Sequence, residues 1–295
     1  MGKGGAGKGP HAAGEAAMRF AKLQGAGNDY IYVNGAEFAV ADPAALAVRL
    51  SDRHFGVGAD GLIVALPALD KGDVRMRMFN ADGSESEMCG NGVRCLGKFA
   101  VERGLAKGDS VRVETQAGLR VVHLERENGR IVRGSVNMGR PQLAPEQIPV
   151  DLEGDRVVDV PLEVGGKTLW MTCVNMGNPH AVFYVDSAAD WPLEILGPKI
   201  ENHRLFPERV NAHIVEVVAP GEAIVRTWER GSGITLACGT GVSAVCVAGV
   251  LTGRTGRRLR AHVPGGDLEA EWPDDRAEVL LTGPVEEVFT GEWPD

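Results

Sequence analysis

The sequence predicts an α+β protein built from two pseudo-symmetric domains, each with β-strands wrapped around a central helix, and an active site in the cleft between them. Three observations carry this reading. The chain has 295 residues, and at roughly 100–200 residues per domain that length holds two domains. A Cys-Gly-x-Gly-Val segment occurs at Cys89 and again at Cys238. Short runs rich in β-branched and aromatic residues, the signature of strands, flank a few helical stretches.

The repetition extends beyond the cysteines. The second cysteine follows the first by 149 residues (89 to 238). Asn28 in GAGNDY and Asn178 in NMGNPH lie 150 apart (28 to 178), as do Gly61 and Asn211 (61 to 211). Asn80 and Glu229 lie 149 apart (80 to 229). Four landmarks in one order at nearly one offset argue for a duplicated unit rather than chance.

Taken along the chain, residues 1–17 are Gly- and Ala-rich with almost no large apolar side chain. Such a stretch cannot offset the entropy of ordering, so a disordered extension is expected. Its Gly2-x4-Gly7-Lys8 resembles a phosphate loop, but Gly9 stands where Ser or Thr is needed and no strand precedes it. Ala6 likewise defeats a myristoylation signal. Ordered sequence is expected from Met18, which reads as a functional start. Asp42-Pro43 before an apolar-periodic run gives a capped helix with Pro in its first turn. Strands are expected at 75–79, 111–115 and 120–124, and at 181–185, 213–218 and 224–228. Helices follow each cysteine, at about 92–103 and 242–252. The second is apolar nearly all round and must be buried. Pro141, Pro145 and Pro149 mark the boundary between the halves within 137–149.

Composition narrows the function. Hydrophobic residues at 44% and charged residues at 24% fit a globular chain and exclude wholesale disorder. Net charge −9, with no basic stripe among aromatics, argues against nucleic acid. The longest apolar stretch, 241–252, is too short for the roughly 20 residues a membrane helix needs. Cys89, Cys95, Cys173, Cys238 and Cys246 make an odd set with no C-x-x-C spacing. A disulfide framework and a zinc site are both unsupported, and a reducing cytoplasm is expected.

The two cysteine turns carry chemistry. A Gly-rich turn opening a helix presents unpaired N–H groups and a partial positive charge, which suits a carboxylate. The same field favours a thiolate. Two such thiols facing each other across a cleft can invert a carbon acid, one removing a proton and the other returning one on the opposite face. Glu229 can hold an ammonium and Arg230 a carboxylate, although an adjacent acid–base pair is often only a surface ion pair. Asn28, Asn80, Asn178 and Asn211 stand in loops or at strand ends. Each alone reads as a turn residue, and their repeated register lifts them to candidate ligands. His180 reads equally as a core histidine or a site residue. Cys95, Cys173 and Cys246 read as small buried hydrophobes.

The motifs GAGNDY, FNADGSE, MCGNGVRC, NMGNPH, FPERVNAH, WERGSGITLACGTG and VPGG, in this order, resemble those of the diaminopimelate epimerases from about Met18 to the C-terminus. The resemblance implies a cofactor-independent enzyme, without pyridoxal phosphate or metal. It implies interconversion of LL- and meso-diaminopimelate in lysine and cell-wall precursor synthesis. Cys89 and Cys238 become the acid/base thiols, and Glu229 and His180 assist at the reacting centre. Gly90, Asn91, Gly239 and Thr240 become donors to the α-carboxylate. Asn28, Asn80, Asn178, Asn211, Glu229 and Arg230 become substrate ligands. It further implies a homodimer, and a last strand (283–295) returning to a first domain of 18–136, with 137–282 forming the second. Gly61 departs from the pattern, since some members carry Gln there. Proline racemases resemble the chain more distantly. A proline racemase-like enzyme, a thiol redox protein using the same cysteine pair, and a binding module that needs neither sulfur are the competing readings.

Overall fold

The computed structural model describes residues 17–294. The readings made for residues 1–16 lie outside the described residues. The first half runs β1 (Met18–Gly25), β2 (Asn28–Asn34), α1 (Pro43–Ser51), β3 (Gly61–Leu66), β4 (Val74–Asn80), β5 (Glu85–Ser86), α2 (Gly90–Glu102), β6 (Ser110–Thr115), β7 (Gly118–Glu127) and β8 (Arg130–Asn137). After β9 (Val160–Val164) the same series returns as β10 (Lys167–Asn175), β11 (Pro179–Tyr184), α3 (Leu193–Glu201), β12 (Asn211–Ala219), β13 (Glu222–Glu229), β14 (Gly233–Thr235), α4 (Gly239–Leu251), β15 (Arg258–Val263), β16 (Gly266–Glu271) and β17 (Leu280–Pro284). The chain closes with β18 (Glu286–Trp293).

The pairings repeat with the elements. β2 runs parallel to β3, and β11 parallel to β12. β4 runs parallel to β6, and β13 parallel to β15. The remaining pairs within each series are antiparallel hairpins. β18 pairs with β1 and thus returns to the first half, occupying there the place β9 holds on β10. One seam, β8 against β17, joins the halves into a continuous sheet.

Local chemistry accounts for the elements that position the site. Asp42 caps α1, its carboxylate accepting from the Ala45 N–H at 3.0 Å, and Pro43 stands in the first turn. The β1–β2 connection has positive φ at Ala26 (53°) and Gly27 (81°), as a tight hairpin turn of this hand requires. Gly177, with φ 97°, performs the equivalent service before Asn178. α4 is buried along Gly239 and 241–249, as its uniformly apolar sequence predicts. α2 begins two residues earlier than the sequence predicts, at Gly90, and is buried on every side. This includes Arg94 and Lys98, which sequence patterning would place on a polar face. Lys98 Nζ finds the Ile131 carbonyl at 2.7 Å. Each helix thus forms the axis of its half. Among the described residues no helix is long and apolar enough to cross a membrane.

Candidate active site

The repeated landmarks gather at one end of each half. Asn28 opens β2, Gly61 opens β3, Asn80 ends β4 and Cys89 caps α2. In the second half Asn178 directly precedes β11, Asn211 opens β12, Glu229 ends β13 and Cys238 caps α4. Register makes the match residue by residue: Tyr30 pairs with Gly61 and Gly61 with Asn80, while His180 pairs with Asn211. Tyr30 therefore occupies in the first half the place of His180 in the second.

The two helix N-termini meet. A Cβ placed on Gly239 would lie 3.9 Å from Gly90 Cα and 3.8 Å from Asn91 Oδ1. Leu281 packs beneath both, 2.9 Å from that position and 3.5 Å from its counterpart on Gly90. The glycines let the two turns approach closely, and the capping cysteines stand near enough for Cys89 to act on Cys238. The halves also touch beside the cysteines. A Cβ on Gly265, in the VPGG turn, would fall 1.9 Å from the Ala26 carbonyl oxygen, and one on Gly27 would fall 3.0 Å from Leu236.

Around Cys89, the Gly92 N–H donates to Sγ at 3.5 Å, and the thiol donates to Asn28 Oδ1 at 3.3 Å. Asn91 Nδ2 reaches the same oxygen at 3.4 Å. Asn28 Nδ2 donates to Asp60 Oδ2 at 2.7 Å, which fixes the orientation of that amide. Burial pushes the Cys89 thiol up, and the N–H groups of Gly92 and Asn91 and the Tyr30 hydroxyl pull it back. Cys238, buried, has Thr240 Oγ1 at 3.5 Å and the Gly241 N–H beside its sulfur. Burial and then the Glu229 carboxylate push Cys238 well above the ordinary thiol range. Glu229 is itself raised by burial, and Thr235 Oγ1 donates to it at 2.6 Å.

His180 is fully buried and makes no bond to either sulfur. Its Nε2 lies 2.8 Å from Asn178 Oδ1, its Nδ1 lies 2.9 Å from His213 Nε2, and His213 Nδ1 lies 2.9 Å from Thr227 Oγ1. Because Asn178 Oδ1 only accepts, one donor direction satisfies the chain: Thr227 hydroxyl to His213, His213 to His180, His180 to Asn178. Both rings are then neutral. Burial holds His213 at about 3 and His180 well below the ordinary range. Asn211 Nδ2 donates to the Pro179 carbonyl at 2.8 Å and its Oδ1 accepts from the Arg230 N–H at 2.9 Å. The Arg230 guanidinium donates to the Glu208 carbonyl at 2.9 Å. Asn80 Nδ2 donates to Ser84 Oγ at 2.9 Å. Cys95, Cys173 and Cys246 are buried in the core.

Sequence reasoning missed several groups that shape this site: Tyr30, Asp60, Arg94, Thr235, and the His213–Thr227 pair. The 150-residue offset that pairs Asn28 with Asn178 also pairs Tyr30 with His180, and would have found the first of them. Gly61 carries no side chain and has no space for one, since a Cβ there would lie 2.1 Å from the Phe79 carbonyl oxygen.

Comparison with known proteins follows the same lines. The family model for diaminopimelate epimerase matches residues 20–144 and 172–288. A diaminopimelate epimerase of Acetivibrio thermocellus is 50% identical over 275 residues, 93% of this chain and 98% of the relative. Among solved structures, a phenazine biosynthesis protein of the PhzF family from Bacillus anthracis aligns with TM-score 0.67 at 18% identity, covering 94% of this chain and 99% of that one. A probable proline racemase from Agrobacterium radiobacter aligns with TM-score 0.65 at 16% identity, covering 93% and 92%. These two share the fold of two pseudo-symmetric domains. By the family match and by its similarity to curated relatives along nearly its whole length, the chain belongs to the diaminopimelate epimerase family.

Proposed function

We propose that this protein inverts the α-carbon of LL-2,6-diaminopimelate to give the meso isomer, with Cys89 and Cys238 as its two bases, in lysine and cell-wall precursor synthesis. The observation that carries the reading is the meeting of two Cys-capped helix N-termini in a molecule otherwise built twice. The helix-terminal N–H groups there, from Gly90, Asn91, Gly239 and Thr240, form a cradle for the α-carboxylate. One sulfur, as thiolate, takes the α-proton; the other, as thiol, gives its proton to the opposite face of the carbanion. The protonation states of the sulfurs are then exchanged, and solvent resets them. The near-attack geometry this needs is roughly 3–3.5 Å from each sulfur to the carbon. Glu229 takes the ammonium beside Cys238. Asn28, Asn80, Asn178, Asn211 and Arg230 bind the rest of the substrate, and the Thr227–His213–His180 chain sets the Asn178 amide.

The test is incubation of chelator-treated protein with LL-diaminopimelate, without added cofactor. Conversion toward the meso isomer is expected, and Cys89→Ala and Cys238→Ala should each lose on the order of 10²–10⁴-fold or more. Absence of conversion by the intact protein overturns the activity, and persistence in both variants overturns the assignment of bases. Activity that instead needs a Cys89–Cys238 disulfide would favour the redox reading.

Three further readings are proposed with it. The domain limits are 18–136 with 283–295, and 137–282; the return of β18 to β1 supports them. The protein works in the cytoplasm, in keeping with its free cysteines. It is a homodimer, for which light scattering should give twice the 31.3 kDa chain mass.

A further inference from the structure

The two halves differ in charge at just the places where they otherwise match. Arg94 sits one turn into α2; the same offset as the cysteines places Ser243 there in α4 (94 to 243). The positions are structurally equivalent, because Arg94 Nη1 donates to the Gly90 carbonyl at 3.3 Å and Ser243 Oγ to the Gly239 carbonyl at 3.0 Å. At the strand ends the difference runs the same way, with neutral Asn80 in the first half and Glu229 in the second, so both make the first half the more positive.

Arg94 is an unusual cation. It is fully buried, and among the described residues no carboxylate comes within ion-pair distance of it. Its Nη2 donates to Asn91 Oδ1 at 2.8 Å, and its Nε has no partner. Three strands leave room for it. A Cβ at Gly25, Gly134 or Gly283 would lie 3.4 Å, 3.3 Å or 2.6 Å from its atoms. A buried unpaired charge is costly unless an anion arrives. The groups near it able to become one are the Cys95 and Cys89 thiols and the Tyr32 hydroxyl; burial pushes Cys95 up to about 12 and Tyr32 well above its ordinary range, and the path to Cys89 is short. Arg94 holds Asn91, Asn91 holds Asn28, and Asn28 touches the Cys89 sulfur.

We propose that Arg94 is a positioning residue whose buried charge makes Cys89 the sulfur that ionises first in the free enzyme, leaving Cys238 protonated as the acid. This rests on the epimerase reading for its meaning, although its test needs no substrate. The charged and titratable groups facing Cys89 are consistent with it. Tyr30 from β2 places its hydroxyl by the sulfur. Asp60 is screened by the Asn28 amide it holds. Arg133 of β8 adds positive potential near Arg94. Cys95 is buried on the same helix. Cys238 and Glu229 stand on the far side, and Glu229 acts first on Cys238. The one opposing contact is Asn28 Oδ1, which accepts from the neutral thiol.

The test is alkylation of ligand-free protein by iodoacetamide across pH, with each cysteine quantified by peptide mass spectrometry. Using the pH midpoint rather than the rate removes the difference in exposure. The Cys89 midpoint is expected at least about one pH unit below that of Cys238, or about tenfold more thiolate at a given pH. Arg94→Gln, which keeps a donor for Asn91 but not the charge, should raise the Cys89 midpoint by about one unit and leave Cys238 nearly unmoved. Arg94→Lys should retain most of the wild-type order. Equal or reversed midpoints in the wild-type protein overturn the proposal, as does a Cys89 midpoint unchanged in folded Arg94→Gln. Should Arg94→Gln fail to fold, the wild-type order and Arg94→Lys decide. Failure of the epimerase reading would show differently, as no meso product whatever the order of ionisation.

Discussion

Lowering the pH tests the buried histidine chain quantitatively. In the Thr227–His213–His180–Asn178 series every ring nitrogen already has a partner suited to a neutral ring, so a proton added to either ring turns the Thr227 hydroxyl from donor to acceptor and leaves a buried charge. His213 stays neutral down to about 3, against an ordinary value of about 6.5 in the unfolded chain. Below pH 6.5 the unfolded chain therefore binds the proton that the folded one refuses, and stability falls as pH falls. For His213 the penalty grows from near zero at pH 7 to about 2 kcal/mol at pH 5. His180 lies well below its ordinary value for the same reason, burial. His213 alone should therefore remove about 2 kcal/mol between pH 7 and pH 5, a sizeable part of a typical 5–15 kcal/mol, and His180 acts in the same direction. The assay is urea unfolding at both pH values, followed by tryptophan fluorescence; Trp272 is fully buried and Trp228 packs on α3. His213→Gln should lower stability at pH 7 yet shrink the pH 7 to pH 5 difference by about 2 kcal/mol. An unchanged difference, or an imidazole of the folded protein titrating near its ordinary value by NMR, would refute the reasoning. The functional corollary is that His180 acts as a neutral hydrogen-bond donor to Asn178 and not as an imidazolium acid.

Two other substitutions test the site's framework. Gly61→Ala sets a methyl 2.1 Å from the Phe79 carbonyl oxygen and 3.0 Å from the Tyr30 ring; overpacking of this kind costs about 1–3 kcal/mol or more, so calorimetry should show Tm falling by about 5 °C, and a change within about 1 °C would contradict the placement of β3. Asp60→Asn removes the carboxylate that orients the Asn28 amide at 2.7 Å, and kcat/KM should fall about 10–100-fold, the worth of a charge-assisted hydrogen bond; an unchanged value would show that Asn28 needs no such support.

Much of this was readable from residues alone because the duplication writes each site position twice. Cys89 and Cys238 announce themselves as helix caps through the glycines that follow, and Asn28, Asn178 and Asn211 through their shared spacing. The strands read from sequence were those with dense β-branched runs, such as β6 and β13. β1 (Met18–Gly25) and β10 (Lys167–Asn175) were not, since their alternation is broken by interior positions on both faces. The β8–β17 seam is a pairing between residues far apart in sequence, to which local propensity is blind. Arg94 illustrates the deeper limit. Periodicity would place an Arg on a polar stripe, and only the strands closing around α2, with glycines at Gly25 and Gly283, reveal that it has no polar side to face. Asp60 and His213 matter through what they orient, and orientation has no signature in spacing.

The most direct trial of two opposed sulfurs is the early time course in heavy water, with product and remaining substrate separated and analysed for deuterium at the α-carbon. Distinct bases on the two faces place one deuterium in nearly every meso product molecule while unreacted LL-diaminopimelate remains undeuterated. A single base working both faces would hand the substrate's own proton back, and protonated product at early times would contradict the account.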